Sequence, residues 1–247
     1  MKTYSILLSV VSACAIATSA FGAGTDASAY QGALFNGDSA QFQEALHKDG
    51  PQRVSVGVEL QQQKRSLTRD SWSTSDLKAN YFVGKLGYDV TKSLTLYGAA
   101  GEADVTTAFA NRSSNFAWMG GGQLRVLDYM VLEPWNDFDN YWVGVDLNGF
   151  YRGTQVDFGN YTSTLSEIFT SLTMSFMSHP TKPGLWDRIG FYVGPAFSTI
   201  SMDSSKEDQA FGMVAGLQLN PTPNWGIKLE FQKFDELGMG ASATFHF

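Results

Sequence analysis

From residue 54 to the last residue, apolar side chains recur at every second position, the period of a strand with two unlike faces. Val54, Val56, Val58 and Leu60 alternate with Ser55, Gly57, Glu59 and Gln61. Tyr141, Val143, Val145 and Leu147 alternate with Trp142, Gly144, Asp146 and Asn148, and Leu172, Met174 and Phe176 with Ser171, Thr173 and Ser175. Ile189, Phe191, Val193 and Phe197 continue the pattern, as do Phe211 to Leu219 and Trp225 to Phe231. It closes with Leu237, Met239, Ala241, Ala243, Phe245 and Phe247. Weaker runs occupy 77–89, 93–102 and 116–127. About ten strands of roughly 9–13 residues are predicted, eight being the alternative, the length a tilted strand needs to cross a bilayer. Such regularity predicts an all-β, antiparallel up-and-down sheet closed into a barrel over residues 53–247.

Composition narrows the class. Apolar residues are 43%, aromatics 14% and charged residues only 17%, which excludes a disordered chain and argues against an ordinary helical enzyme. A net charge of −7 supplies no basic surface for nucleic acid. The single cysteine excludes a disulfide framework and a thiolate metal site, and no motif implies a cofactor.

Residues 1–22 read as an export signal: Lys2, then an uncharged apolar stretch, then small residues that allow cleavage after Ala20 or Gly22. Val11-Ser12-Ala13-Cys14 offers a lipobox as the alternative. Residues 23–52 form a leader. Asp38, Gln41, the stripe Phe42, Ala45 and Leu46, Lys48 and Gly50-Pro51 predict a short capped helix, against the alternative of a flexible linker. Past the signal, no run reaches the ~18 apolar residues of a spanning helix.

The polar set decides which face turns inward. It holds Glu59, Lys85, Arg125, Asp146, Arg152, Arg188, Lys228 and Glu230, and a mid-bilayer Arg or Lys facing lipid would cost ~2–4 kcal/mol. The apolar set is therefore expected to face lipid and the charges to form an ion-pair network in the lumen. Tyr88, Trp118, Tyr141, Tyr151, Trp225 and the terminal Phe residues are candidates for interfacial girdles. A soluble barrel with the apolar set inside is the competing reading. It would leave a Gly/Ser-rich exterior and fill its cavity with aromatic rings. Prolines at 134, 180, 183, 221 and 223 predict compact turns at one rim, and the polar segments 66–76, 103–115, 153–162 and 199–209 predict longer loops at the other. Pro195 fits this scheme badly, because it removes a ladder hydrogen bond unless a bulge absorbs it.

The hairpin Leu86-Gly87-Tyr88-Asp89-Val90-Thr91-Lys92-Ser93-Leu94-Thr95-Leu96-Tyr97-Gly98 resembles the short periplasmic hairpins of bacterial outer-membrane β-barrels, especially the small OmpA-like ones. The ending Ala243-Thr244-Phe245-His246-Phe247 is similar to their C-terminal assembly signal. The resemblance implies the bacterial outer membrane as location. It also implies lipid and lipopolysaccharide as surroundings, and the barrel-assembly machinery as a partner that reads Phe245 and Phe247. Ten strands depart from the OmpA-like eight. A monomer with a structural or surface-interaction role and a lumen filled by side chains is the expectation. A narrow pore is the first alternative, since ten strands are a borderline bore. An outer-membrane lipid-modifying or proteolytic enzyme is the second. Of the three histidines, His47 falls in the leader, His179 in a predicted periplasmic turn and His246 at the periplasmic end of the lumen. None is placed to activate a nucleophile at the outer rim, so no catalysis is expected. Asp70, Asp76, Asp203, Glu207 and Asp208 read as solvated loop charges rather than an acidic catalytic or cation site.

Overall fold

The computed structural model describes residues 35–37, 54–69, 73–91, 93–107, 113–131, 139–157, 162–180, 188–202, 205–207, 210–222 and 224–247. The predicted signal, the leader helix, His47 and the loop residues Asp70, Asp203 and Asp208 lie outside them.

The strands in chain order are β1 Phe35–Gly37, β2 Val54–Arg69, β3 Ser73–Asp89, β4 Leu94–Thr107, β5 Ser113–Val131, β6 Asp139–Asp157, β7 Thr162–Pro180, β8 Arg188–Met202, β9 Ser205–Glu207, β10 Phe211–Thr222, β11 Trp225–Lys233 and β12 Leu237–His246. Ten of them, all except β1 and β9, pair antiparallel with their neighbours. Pairing of β12 with β2, from Met239↔Gln62 to His246↔Ser55, closes the barrel. No helix occurs among the described residues. β1 adds in parallel to the edge of β5 at Leu127–Tyr129, below the point where β4 begins.

Alternation places the apolar set outside. Val56, Phe82, Leu86, Leu96, Leu172, Phe191 and Leu217 all point out of the barrel and are exposed. On β8 this apolar face runs from Ile189 to Phe197, roughly 21 Å of height for a strand tilted about 40°, somewhat less than the ~25 Å apolar band of transmembrane barrels. Tyr88, Trp118 and Tyr151 are exposed on this face, and Tyr141 and Trp225 are half-buried on it.

Several strands continue far beyond this belt, which corrects the sequence reading of strand length. β5, β6 and β7 have 19 residues each, while β10, β11 and β12 have 12, 9 and 10. Most of each segment expected as a long outer loop is strand. The connections at that rim shrink to 70–72, 108–112, 158–161, 203–204, 208–210 and 234–236. They run from two to five residues, and 90–93, 132–138, 181–187 and 223–224 at the other rim from two to seven, so the expected contrast in loop length is absent. The physical reason is that Ser, Thr, Asp and Lys suit a strand whose outer face meets water, and a polar strand reads as a loop when judged on its apolar content.

β10 to β12 stop at the top of the belt. Above them β9 bridges β8 and β2 directly, with Met202↔Ser205 on one side and Leu67↔Glu207 on the other. The barrel therefore narrows into an upper tier in which one short strand replaces three. There the two faces exchange character. Thr68, Asp76, Lys78, Glu102, Asp104, Thr106, Gln155 and Asp157 point outward. Leu67, Leu77, Ala79, Val105, Val156, Leu165, Ile200 and Met202 pack together inside, each less than a tenth exposed. The expectation of a polar lumen holds in the belt and fails above it, because an apolar face is driven inward wherever the outside is water.

Pro195 needs no bulge. It pairs with Met213 on β10, and towards β7 the ladder lapses between Ser171↔Ala196 and Met174↔Val193 with the same register on both sides. The lost bond is absorbed as a two-position gap. A bulge does occur on β5, between Arg125 and Leu127.

At the seam, Phe247 N–H donates to Val54 O at 2.9 Å, and its ring meets Phe245 edge-on at 4.9 Å between centroids. Phe247 is 59% exposed, so its deletion should cost the folded barrel well under the ~1.5–3 kcal/mol of a fully buried side chain. The truncated protein is expected to refold in detergent with a normal heat-modifiable shift while failing to insert in cells. Normal insertion in cells would reduce Phe247 to a packing residue.

Candidate functional site: the bore and its closure

Inward positions of β2, β3, β5, β6, β7, β8 and β11 bring the charges into the bore, where they lie in three levels. Nearest the rim that holds both Val54 and Phe247, Arg125 grips Asp146 with both arms, Nε to Oδ1 at 2.6 Å and Nη2 to Oδ2 at 3.1 Å. The two residues are direct cross-strand partners on β5 and β6. Asp128 lies 3.7 Å from Arg125, and Ser175 Oγ donates to Asp146 at 3.3 Å. Arg188 completes the level, 1% exposed, and lines with Arg125, Asp128 and Trp142 a void of about 10 Å³. At Gly144 a Cβ would come within 2.6 Å of Ser175 Oγ, so a larger residue would turn that hydroxyl away from Asp146.

The middle level is wetter. Lys85 Nζ is 3.5 Å from Glu59 and 3.9 Å above the Tyr97 ring. Lys228 Nζ is 2.7 Å from Glu230, which also accepts from Tyr192 Oη at 2.7 Å and Gln232 Nε2 at 2.8 Å. Glu59, Lys85, Tyr97, Asn148, Lys228, Glu230 and Gln232 line a cavity of about 60 Å³, room for a few waters held by polar partners. Charges that keep part of their hydration lose little on entering such a bore.

The third level crosses the bore and is dry. Arg152 pairs with Glu167, its register partner on β7, and donates to Gln61 and Gln63 on the opposite wall. Gln63 Nε2 and Ser198 Oγ each donate to Glu167 Oε1 at 2.8 Å. Arg152 also stacks 3.9 Å over Tyr81, and Arg65 3.9 Å over Phe234. Arg152, Glu167, Gln63 and Arg65 are 4%, 2%, 1% and 0% exposed. Directly above lies the apolar interior of the upper tier, so a polar bolt and an oily plug succeed one another along the axis.

All eight charges expected in the lumen point inward, and the structure groups them as Glu59 with Lys85, Arg125 with Asp146, and Lys228 with Glu230. Arg152 takes a partner that sequence reasoning missed, as do the arrangements around Arg65, Gln61, Gln63, Asp128 and Glu167. The parity of Ser171 and Thr173 carried back to Glu167 would have found it, because position 167 falls on the same face. His246 is inward at the lower rim and half-buried, and its backbone N–H donates to Asn224 O at 3.0 Å. The backbone of His179 lies within β7, not in a turn. Glu207 lies on β9, and Asp76 points outward near the upper rim.

No protein-family model matches the chain, and no curated protein matches it in sequence. Solved structures are similar to it in shape. An outer-membrane channel from Pseudomonas putida F1 is similar over 81% of this chain and 98% of its own, with 12% identity and a TM-score of 0.42. The translocator domain of the autotransporter NalP from Neisseria meningitidis covers 83% and 92%, with 8% identity and a TM-score of 0.37. Ail, the attachment invasion locus protein of Yersinia pestis, covers 78% and 95%, with 13% identity and a TM-score of 0.21.

Proposed function

We propose that this chain is an integral outer-membrane barrel of the bacterial envelope that carries a closed, water-exposed head and conducts nothing. The observation that supports the reading most directly is the reversal of the two faces. Apolar outside and charged inside suits lipid around a hydrated bore, whereas polar outside and apolar inside suits water around a dry core. On this reading the bilayer boundary lies near Leu60 and Phe82, the last apolar outward residues of β2 and β3. The upper tier projects into the medium, and the rim with Val54 and Phe247 faces the periplasm. Export uses residues 1–22, and insertion uses the barrel-assembly machinery reading Phe245 and Phe247. The protein acts as a monomer, in a structural or surface-interaction role, with outer-membrane lipid and lipopolysaccharide around it.

Catalysis has no support in the arrangement. Among the described histidine side chains, His246 enters the bore, and it does so at the end remote from the medium. Purified protein is expected to leave lipid A and phospholipid vesicles unmodified. The middle cavity favours a narrow pore only as far as Arg152, where the bolt and plug begin. Refolded protein in a planar bilayer should therefore show no stepwise openings. Regular unit conductances from the wild-type barrel would overturn the closed reading in favour of the pore.

A further inference from the structure

Three lysines stand in one row on the outer wall just above the apolar belt. Lys64 on β2 and Lys78 on β3 are direct cross-strand partners, and both point outward. On the other side of the seam Lys233 of β11 pairs with Leu237 of β12, and the next outward pair down joins Met239 to Gln62. Lys233, Leu237, Lys64 and Lys78 thus lie on adjacent strands at matching register, about 4.8 Å from one strand to the next. Among the described residues Lys64 and Lys78 make no ion pair, and Lys233 Nζ donates to the carbonyl of Asp235 at 2.6 Å. Carboxylates do stand near: Asp76 and Asp104 share the outer face with Lys78, and Asp235 is held at the loop by the Ser66 N–H.

Below the row the wall changes character stepwise. Gln62 and Asn80 come first, bonded to each other at 3.0 Å. Leu60, Phe82, Leu229, Phe231, Met239 and Ala241 follow as an unbroken apolar surface. A row of cations over a polar step over an oily wall matches one kind of molecule: an amphiphile with anionic groups at the interface and several acyl chains beneath. Lysine stems lie along apolar surface and lift the ammonium to the interface, and cations near a membrane surface attract anionic headgroups.

We propose that Lys64, Lys78 and Lys233 form a docking row for the phosphates of a phosphorylated, multiply acylated lipid of the outer leaflet, with its chains on the wall of β11, β12, β2 and β3. The inference rests on the membrane placement above, so its test reads that placement separately. Barrel refolded into phosphatidylcholine vesicles is first checked for insertion by co-sedimentation and heat-modifiable migration. Failure to insert would overturn the placement itself. Bound lipid is then counted by native mass spectrometry with diphosphorylated lipid A and with its dephosphorylated form.

Retention of the diphosphorylated form is expected to be tighter by about ten-fold or more. The K64Q/K78Q/K233Q variant should lose that preference and still fold, since all three side chains are on the surface. K92Q, in the connection at the opposite rim, should keep it. Millimolar inorganic phosphate should not displace the lipid. Equal retention of both lipid forms, an unchanged preference in the triple variant, or displacement by phosphate alone would each overturn the docking row.

Discussion

Arg152→Ala should be the most damaging single substitution in the bore, costing about 3–5 kcal/mol, because it leaves the Glu167 carboxylate buried without its cation. Glu167 would keep the bonds from Gln63 and Ser198 to Oε1, but two neutral donors do not replace a guanidinium held against Oε2. Gln61 and Gln63 would lose their donor across the bore at the same time. The double variant Arg152→Leu/Glu167→Leu should recover most of the loss, since two apolar residues extend the plug above them downward. Urea titration of the barrel in detergent, read by the mobility of unboiled samples, measures both. A double variant as unstable as the single one would show that the level contributes shape and hydrogen bonding rather than charge pairing. In planar bilayers the single variant gives the closed reading its hardest trial: the plug should keep it silent even with the bolt removed.

A second large effect is expected from a pair of substitutions on one strand. Val145 points out of the barrel at mid-belt, and Asn148 points into the cavity beside Tyr97, whose hydroxyl donates to it at 3.0 Å. Val145→Arg places a charge against acyl chains and should lower stability in bilayers by ~2–4 kcal/mol. Asn148→Arg places the same charge among Glu59, Glu230 and water and should cost far less, chiefly the bond to Tyr97. Folded yield in vesicles of increasing chain length separates them. Equal tolerance would mean that the belt does not face lipid.

The parts of the fold open to prediction were those governed by local periodicity. Alternation over residues 54–60, 141–147 and 189–193 identified strands, and the charges at 59, 146 and 188 settled which side faced inward. Ten strands and the pairing of the last with the first followed from counting runs. The charged positions were legible one by one, because a lone Arg between apolar neighbours can sit only in the bore.

Pairings, strand ends and the upper tier were decided by tertiary structure. Whether Arg152 meets Glu167 or Glu59 depends on register across the sheet, which no run of alternation contains. The same alternation serves both storeys of the barrel. At Leu77, Ala79 and Tyr81 the inward residues are apolar, and at Ser171 and Thr173 they are polar, yet both lie in continuous strands. The same face of each strand stays inward at every height, and whether that face is polar or apolar follows, on the proposed placement, what surrounds the barrel there, lipid or water. That in turn depends on where the three short strands β10, β11 and β12 stop and let β9 close the wall above them. The sequence by itself determined that the chain would make a closed sheet with unlike faces. Only the closed tertiary structure decided where those faces exchange character, because hydrophobic burial responds to the solvent outside a surface and not to its order along the chain.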